Sequence, residues 1–313
     1  MGTASGNVRI SKIIFTFFIY FFLLIVLISC SNKGETDHQT KTTLNSGVLK
    51  VLADDTFKPI LGTSIETFET LAPDAKIEVE YTAQEKAFAA LLDRKTDVII
   101  AGRPLNKSEE SVVKYKGLFP KVNRIASDGL VFLVSKESAM ENISEGKIKG
   151  ILEGTAKIKL ICDKSSSANI MYLIQKFNLS NKVSDVEAAG SDSAVISYVA
   201  DHPELSCIGI TGMAMVSDLD DPKVKNRLSN VKLLSIEYKD STGKQVTGFP
   251  TLENLALKKY PFIRDIFIIN LDGNTNLGTG FANFMVGETA QRIVLKSGLL
   301  PNKMPGREIM INY

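Results

Sequence analysis

Histidine and cysteine are both scarce, with two and three copies in 313 residues, and these shortages restrict the chemistry first. His38 lies in a polar tract and His202 directly precedes Pro203. A histidine-based catalytic triad or a multi-histidine metal site is therefore not expected, and neither is a cofactor. No charge of one sign dominates either. The formal net charge is +2, and no basic block stands out beyond the first dozen residues, so neither nucleic acid nor an acidic surface is expected as a partner. One charge-free apolar run stands out against this background, from Ile13 to Cys30.

Arg9 and Lys12 precede that run. A basic n-region, an apolar h-region and small residues at the cut site are the parts of a secretory signal. Leu27-Ile28-Ser29-Cys30 resembles the lipobox of bacterial lipoproteins, which implies that Cys30 is lipidated and becomes the first mature residue. The competing reading is a transmembrane anchor. The run lies at the short edge of the roughly 17–25 apolar residues that a spanning helix needs, and it ends on a cysteine followed by a polar tract. Residues 1–29 then form a signal peptide and 30–46 a lipidated, flexible tether. The body is expected in the periplasm or cell envelope, held to the membrane by lipid. Cys162 and Cys207 each sit in an apolar stretch, where a buried thiol is common. The compartment permits a disulfide, but nothing in the sequence brings the two together.

What is present is a chain with 44% hydrophobic residues, enough for one large domain or two of ordinary size. Val48–Leu52, Ile77–Tyr81 and Asp97–Ala101 read as strands, and helical segments follow around 59–71, 87–91 and 109–115. This order predicts an α/β domain with a mostly parallel sheet. Val122–Val134 exceeds an ordinary strand and contains Gly129, so it is expected to cross between lobes. The pattern then restarts, with helices at 145–152, 168–177 and 193–200 and strands at 157–162 and 206–210. Val231–Tyr238 is expected to return the chain to the first lobe. A strand at 261–269 and a closing helix over 281–295 complete it. The fold class expected is thus a two-lobed α/β clamshell with two hinge-crossing segments. Lobe 1 takes 47–130 and 239–313, and lobe 2 takes 131–238. Such a fold binds its ligand in the cleft.

Three polar segments lie between a strand and a helix: Asp54-Asp55-Thr56, Thr82-Ala83-Gln84-Glu85 and Asp163-Lys164-Ser165-Ser166-Ser167. Ligands of open α/β sheets bind at strand C-terminal ends, where helix N-termini suit an anion. Each segment alone also reads as an ordinary N-cap. Three consecutive serines exceed what capping needs, and Lys164 beside them favours an anion. Arg103 follows the buried strand and sets a fixed cation at the same sheet edge, in either a binding or a structural ion pair. Asp128, beside Gly129, either orients a hinge or accepts a ligand proton, or else it bonds the local backbone.

The ordered series resembles the periplasmic phosphate-binding proteins of phosphate ABC transporters, in a divergent lipoprotein branch. It comprises Asp55-Thr56-Phe57 with Pro59, the Tyr81–Leu91 segment, and Asp97 through Arg103-Pro104-Leu105. It continues with Ile125-Ala126-Ser127-Asp128-Gly129-Leu130, the serine loop, and Gly280-Phe281 through Gln291 to Lys296–Pro301. The resemblance implies a type II-like periplasmic-binding-protein clamshell that binds inorganic phosphate without chemistry and delivers it to ABC permease subunits. By position it implies anion contacts from Thr56, Phe57, Thr82 or Ala83, and Ser165, Ser166 and Ser167. The serine loop departs from the family in lacking glycines. The family's preceding arginine has no counterpart, and Lys164 offers only a point charge. Arg103 stands where many relatives have aspartate, leaving Asp55 and Glu85 as candidate acceptors of the ligand proton. Alternatives are another tetrahedral oxyanion, a sensing or protein-interaction role, and a phosphoester enzyme, for which no nucleophile–base pair is found.

Overall fold

The computed structural model describes residues 42–180, 183–203, 206–217 and 222–306. The apolar run, Cys30 and most of the tether lie outside the described residues. Ahead of the first strand, Thr43 and Ser46 bridge through a turn, and the Leu44 carbonyl lies against Gly280.

Strands β1 (Gly47–Ala53), β2 (Ala75–Tyr81) and β3 (Val98–Ala101) run parallel to one another. Their alternation feeds two cores. Leu49, Val51, Ala53, Val98 and Ile100 pack with Ile60, Leu61 and Phe68 of the helix Lys58–Leu71. Leu52, Ile99 and Ala101 face the other way, onto Ala87, Phe88 and Leu91 of the helix Gln84–Leu92. With both faces covered, β3 has no polar side, which is why it reads as an unbroken apolar run.

Strand β4 (Lys121–Ser135) is fifteen residues long and belongs to both halves of the molecule. Its first part pairs antiparallel with β12 (Ile263–Asn270), and its last part pairs with β8 (Cys207–Gly212) and β9 (Val231–Leu233). The change of partner falls at Gly129–Leu130. Beyond it, β6 (Lys159–Cys162) and β7 (Val186–Ala188) extend the sheet in parallel from β8. The order is β2-β1-β3-β12-β4-β8-β6-β7, with β13 (Leu300–Pro301) also on β4. The sheet is therefore mixed rather than mostly parallel: β12 is antiparallel to β3 and β4, and β4 to β8. Parallel pairing survives only within each half, where a helix supplies the crossover.

The second half has its own core. Leu130–Val134 pack with Ile148 and Ile151, with Ile170 and Leu173, and with Val195 and Val199. These last six lie on the helices Glu145–Leu152, Ala168–Lys176 and Asp192–Asp201. Two expectations fail here. Val231–Tyr238 does not carry the chain back: β9 pairs with the distal end of β4, and β10 (Ser235–Lys239) joins β5 (Asn142–Ser144) and β11 (Gln245–Gly248) in a small separate sheet. Leu255, Tyr260 and Phe262 still pack in the second core, so the return comes with β12. The closing helix is two helices, Leu277–Val286 and Glu288–Lys296. Gly287 between them is extended and serves as N-cap of the second. Apolar periodicity runs through that break and conceals it.

Candidate functional site

Asp54 ends the loop after β1, and its carboxylate joins the two halves. Oδ1 accepts from Thr56 N at 3.1 Å, and Oδ2 accepts from Ala168 N at 3.2 Å. Ala168 opens the helix Ala168–Lys176, whose N-cap Ser167 makes no capping bond of its own. A carboxylate from the first half thus meets the positive end of a helix in the second, where an anion is favoured. Next to it, Asp55 forms ion pairs with Lys58 at 2.6 Å and with Lys164 of the serine loop. Burial works against ionisation of Asp55, but the two lysines outweigh it and hold its carboxyl below the ordinary carboxylate value. The loop after β1 and the serine turn therefore converge. They share an inlet of about 300 Å³ with Asp163 and with Ser191 and Asp192 at the start of the helix Asp192–Asp201.

Several polar atoms at this seam are buried without a hydrogen-bond partner in the protein: Thr56 Oγ1, Asp163 Oδ2, Ser167 Oγ, Asn169 Oδ1 and, on Arg264, Nε and Nη1. Most buried polar groups are paired, and each unpaired one costs about 1–3 kcal/mol. They come from both halves. Asp192 accepts from Thr211 Oγ1 at 2.6 Å. Its own burial, and after that the nearby Asp163 charge, push its carboxyl up to about 7. Burial also raises Asp163.

The residues singled out from sequence divide into two groups. Asp55, Thr56, Phe57, Lys164 and Ser167 gather at the seam, although Phe57 contributes a buried ring to the first core. Ser165 and Ser166 belong to the same turn and are exposed. Asp128 is buried deeper, opposite Arg264 on β12, which it meets at 2.9 Å, and it also accepts from Met213 N. Gly212 is required beside it, since a side chain there would come within 2.6 Å of the Asp128 carboxylate. Thr82 sits at the end of β2 and donates its N–H to Ala53 O. Arg103 is committed to both Glu85 and Glu109. Arg103 Nη1 and Nη2 meet the Glu109 carboxylate at 2.8 and 2.9 Å, Nη2 reaches Glu85 at 3.1 Å, and the guanidinium lies 3.6 Å over the Phe88 ring. Glu109 also closes the capping box of the helix Lys107–Tyr115 with Asn106. Arg103 thereby clips two helices together.

Sequence reasoning passed over Arg264, Asp163 as a buried group, Asn169 and Asp192. Arg264 had a signal: Ile266 and Ile268 mark the buried face of β12, and Arg264 occupies the same face in an alternation that calls for an aliphatic side chain. Asp192 had none, because an aspartate in the first turn of a helix is commonplace. Cys162 and Cys207 are buried and not joined in a disulfide. Among the described residues, no group of three or more His, Cys, Asp or Glu is arranged to hold a metal ion, and no helix is long and apolar enough to cross a membrane.

Comparison with known proteins agrees with this architecture. The phosphate-binding protein PstS of Borreliella burgdorferi is 25% identical over 300 residues, which cover 89% of this chain and 97% of that protein. A substrate-binding protein from Clostridium perfringens, solved with bound phosphate, superposes with a TM-score of 0.65 at 19% identity, over 82% of this chain and 100% of its own. An ABC-type phosphate transport receptor from Vibrio cholerae gives 0.62 at 17% identity, again over 82% and 100%. At these identities the structural likeness concerns the fold, a two-lobed periplasmic-binding-protein clamshell. The PBP superfamily domain matches residues 36–289, and the chain belongs to that superfamily.

Proposed function

We propose that the protein is an extracytoplasmic receptor that binds inorganic phosphate between its lobes and passes it to the permease subunits of an ABC importer. The observation that carries this reading is the set of buried, unpartnered groups at the seam. Thr56 and Ser167 each adjoin an amide that already holds a carboxylate, and each has a hydroxyl left over. Hydroxyls, backbone N–H groups and a helix N-terminus are complementary to a tetrahedral oxyanion. The named relatives, described as phosphate-binding, agree with this ligand. The binding set proposed here comprises Thr56, the backbone at Phe57, and Ser167 with its serine turn. Asp163 and Asp192 are better placed than Asp55 or Glu85 to accept a ligand proton, because the latter two are held in ion pairs. Binding without bond-making is proposed, with no enzymatic step. The lobes are proposed to follow the cores, two clusters in the first lobe and one in the second, with crossings at Gly129–Leu130 and Phe262–Ile263. Lipidation at Cys30 is proposed to hold the body at the membrane.

The test is calorimetric titration of the purified protein with phosphate, sulfate and molybdate. Saturable one-site binding of phosphate, tighter than that of the other two, is expected. No heat at millimolar phosphate from folded protein contradicts the reading. A sensing or protein-interaction role is the second reading. It is favoured by the direct Asp54–Ala168 and Asp55–Lys164 links, which already tie the two halves without help from a ligand.

A further inference from the structure

The receptor reading, on which this inference rests, leaves its cation unassigned: Arg103 is committed to Glu109 and Glu85, and Lys164 to Asp55. We propose that Arg264, reaching the seam from β12, is the cationic group that meets the bound oxyanion. Its side chain is 0% exposed, and one nitrogen, Nη2, is held by Asp128 at 2.9 Å. Nε and Nη1 are buried with no partner in the protein. A guanidinium carries five N–H donors and does not lose its charge, so a buried arginine with two idle nitrogens is expensive to keep.

The same molecule shows what a purely structural arginine looks like. Arg103 engages Glu109 through both terminal nitrogens, adds Glu85 and the Pro104 carbonyl, and stacks on Phe88. Arg264 makes one such bond and stops. Its surroundings belong to the seam. The guanidinium carbon lies 5.0 Å from the Phe57 ring, one residue beyond Thr56. Gly102 lets the side chain pass, since a methyl group there would approach Arg264 Cδ to 3.2 Å. From the second half, Asp192 and Tyr172 feel its charge. Asp128 faces Arg264 across the β4–β12 ladder and fixes its direction. In this arrangement Asp128 is a positioning residue, and Arg264 is the group that touches the ligand.

The test titrates inorganic phosphate into the full protein purified in detergent, as wild type, Arg264→Lys and the charge-balanced double variant Arg264→Gln with Asp128→Asn. The double variant avoids stranding a buried carboxylate, and thermal unfolding verifies the fold of each. Loss of a charge-assisted hydrogen bond is expected to weaken phosphate binding by about 10- to 100-fold in both variants. A structural role would not move a second readout. In protein labelled with 15N-arginine, the Nε–H signal that vanishes in Arg264→Lys is expected to shift when phosphate is added to wild type. Wild-type affinity in both variants, with that signal unmoved, overturns the assignment of Arg264 and leaves the receptor reading standing. No phosphate binding by the wild type removes both.

Discussion

Asp192 shows how a single side chain can make this seam sensitive to pH. It stands in the first turn of its helix, is bonded to Thr211, and shares the inlet with Asp163. Burial and that neighbour raise its carboxyl to about 7, from an ordinary 3.8. Between those two values the folded protein keeps a proton that the unfolded chain releases. The stability contributed by this group is therefore full below about 4 and is lost as pH rises through about 7. Denaturant titrations at pH 5, 6, 7 and 8 are expected to show wild-type stability falling with pH more steeply than that of Asp192→Asn. Equal slopes would contradict the assignment. None of this was legible in the chain, because an acidic residue near a helix start is the commonest of features. Arg264 is more legible, since it breaks the apolar alternation of its strand.

At the scale of elements, the helix Ala168–Lys176 is completed by a residue more than a hundred positions away. Its own N-cap, Ser167, leaves the first amide to Asp54 of the other half. Asp54→Ala should therefore cost about 1 kcal/mol in urea denaturation, even though Asp54 stands outside that helix. An unchanged midpoint would show that the contact contributes nothing. Strands and helices with a clean period were readable from sequence: β1, β3 and the helix Gln84–Leu92 fall where alternation and amphipathicity place them. What could not be read was allegiance. The apolar character of Val231–Tyr238 says that it is a strand, but not which core it serves, and partner choice depends on contacts remote in sequence. The break at Gly287 escaped for a related reason, since two short helices in line carry one continuous apolar stripe.

For the molecule as a whole, three hydrophobic clusters, two in the first half and one in the second, share one sheet through β4 and β12, and the polar seam lies where the halves meet. Fully buried Phe132 and Phe262 in the core of the second half, and Phe57 and Phe281 in that of the first, contribute about 1.5–3 kcal/mol each. This division makes a bridging ligand effective, because an anion bonded by both halves favours the closed arrangement through contacts that exist only there. The clamshell was foreseeable from the long crossing strand and the restart of the α/β pattern after it. Which side chains fill the seam was not, because the sequence orders them along the chain and the fold gathers them across it. The most direct measurement is a crystal structure of the protein grown with phosphate. The account predicts one anion within hydrogen-bonding distance of Thr56 Oγ1, Ser167 Oγ and the Arg264 guanidinium. An anion bound elsewhere, or a seam that stays unchanged at saturating phosphate, would contradict it.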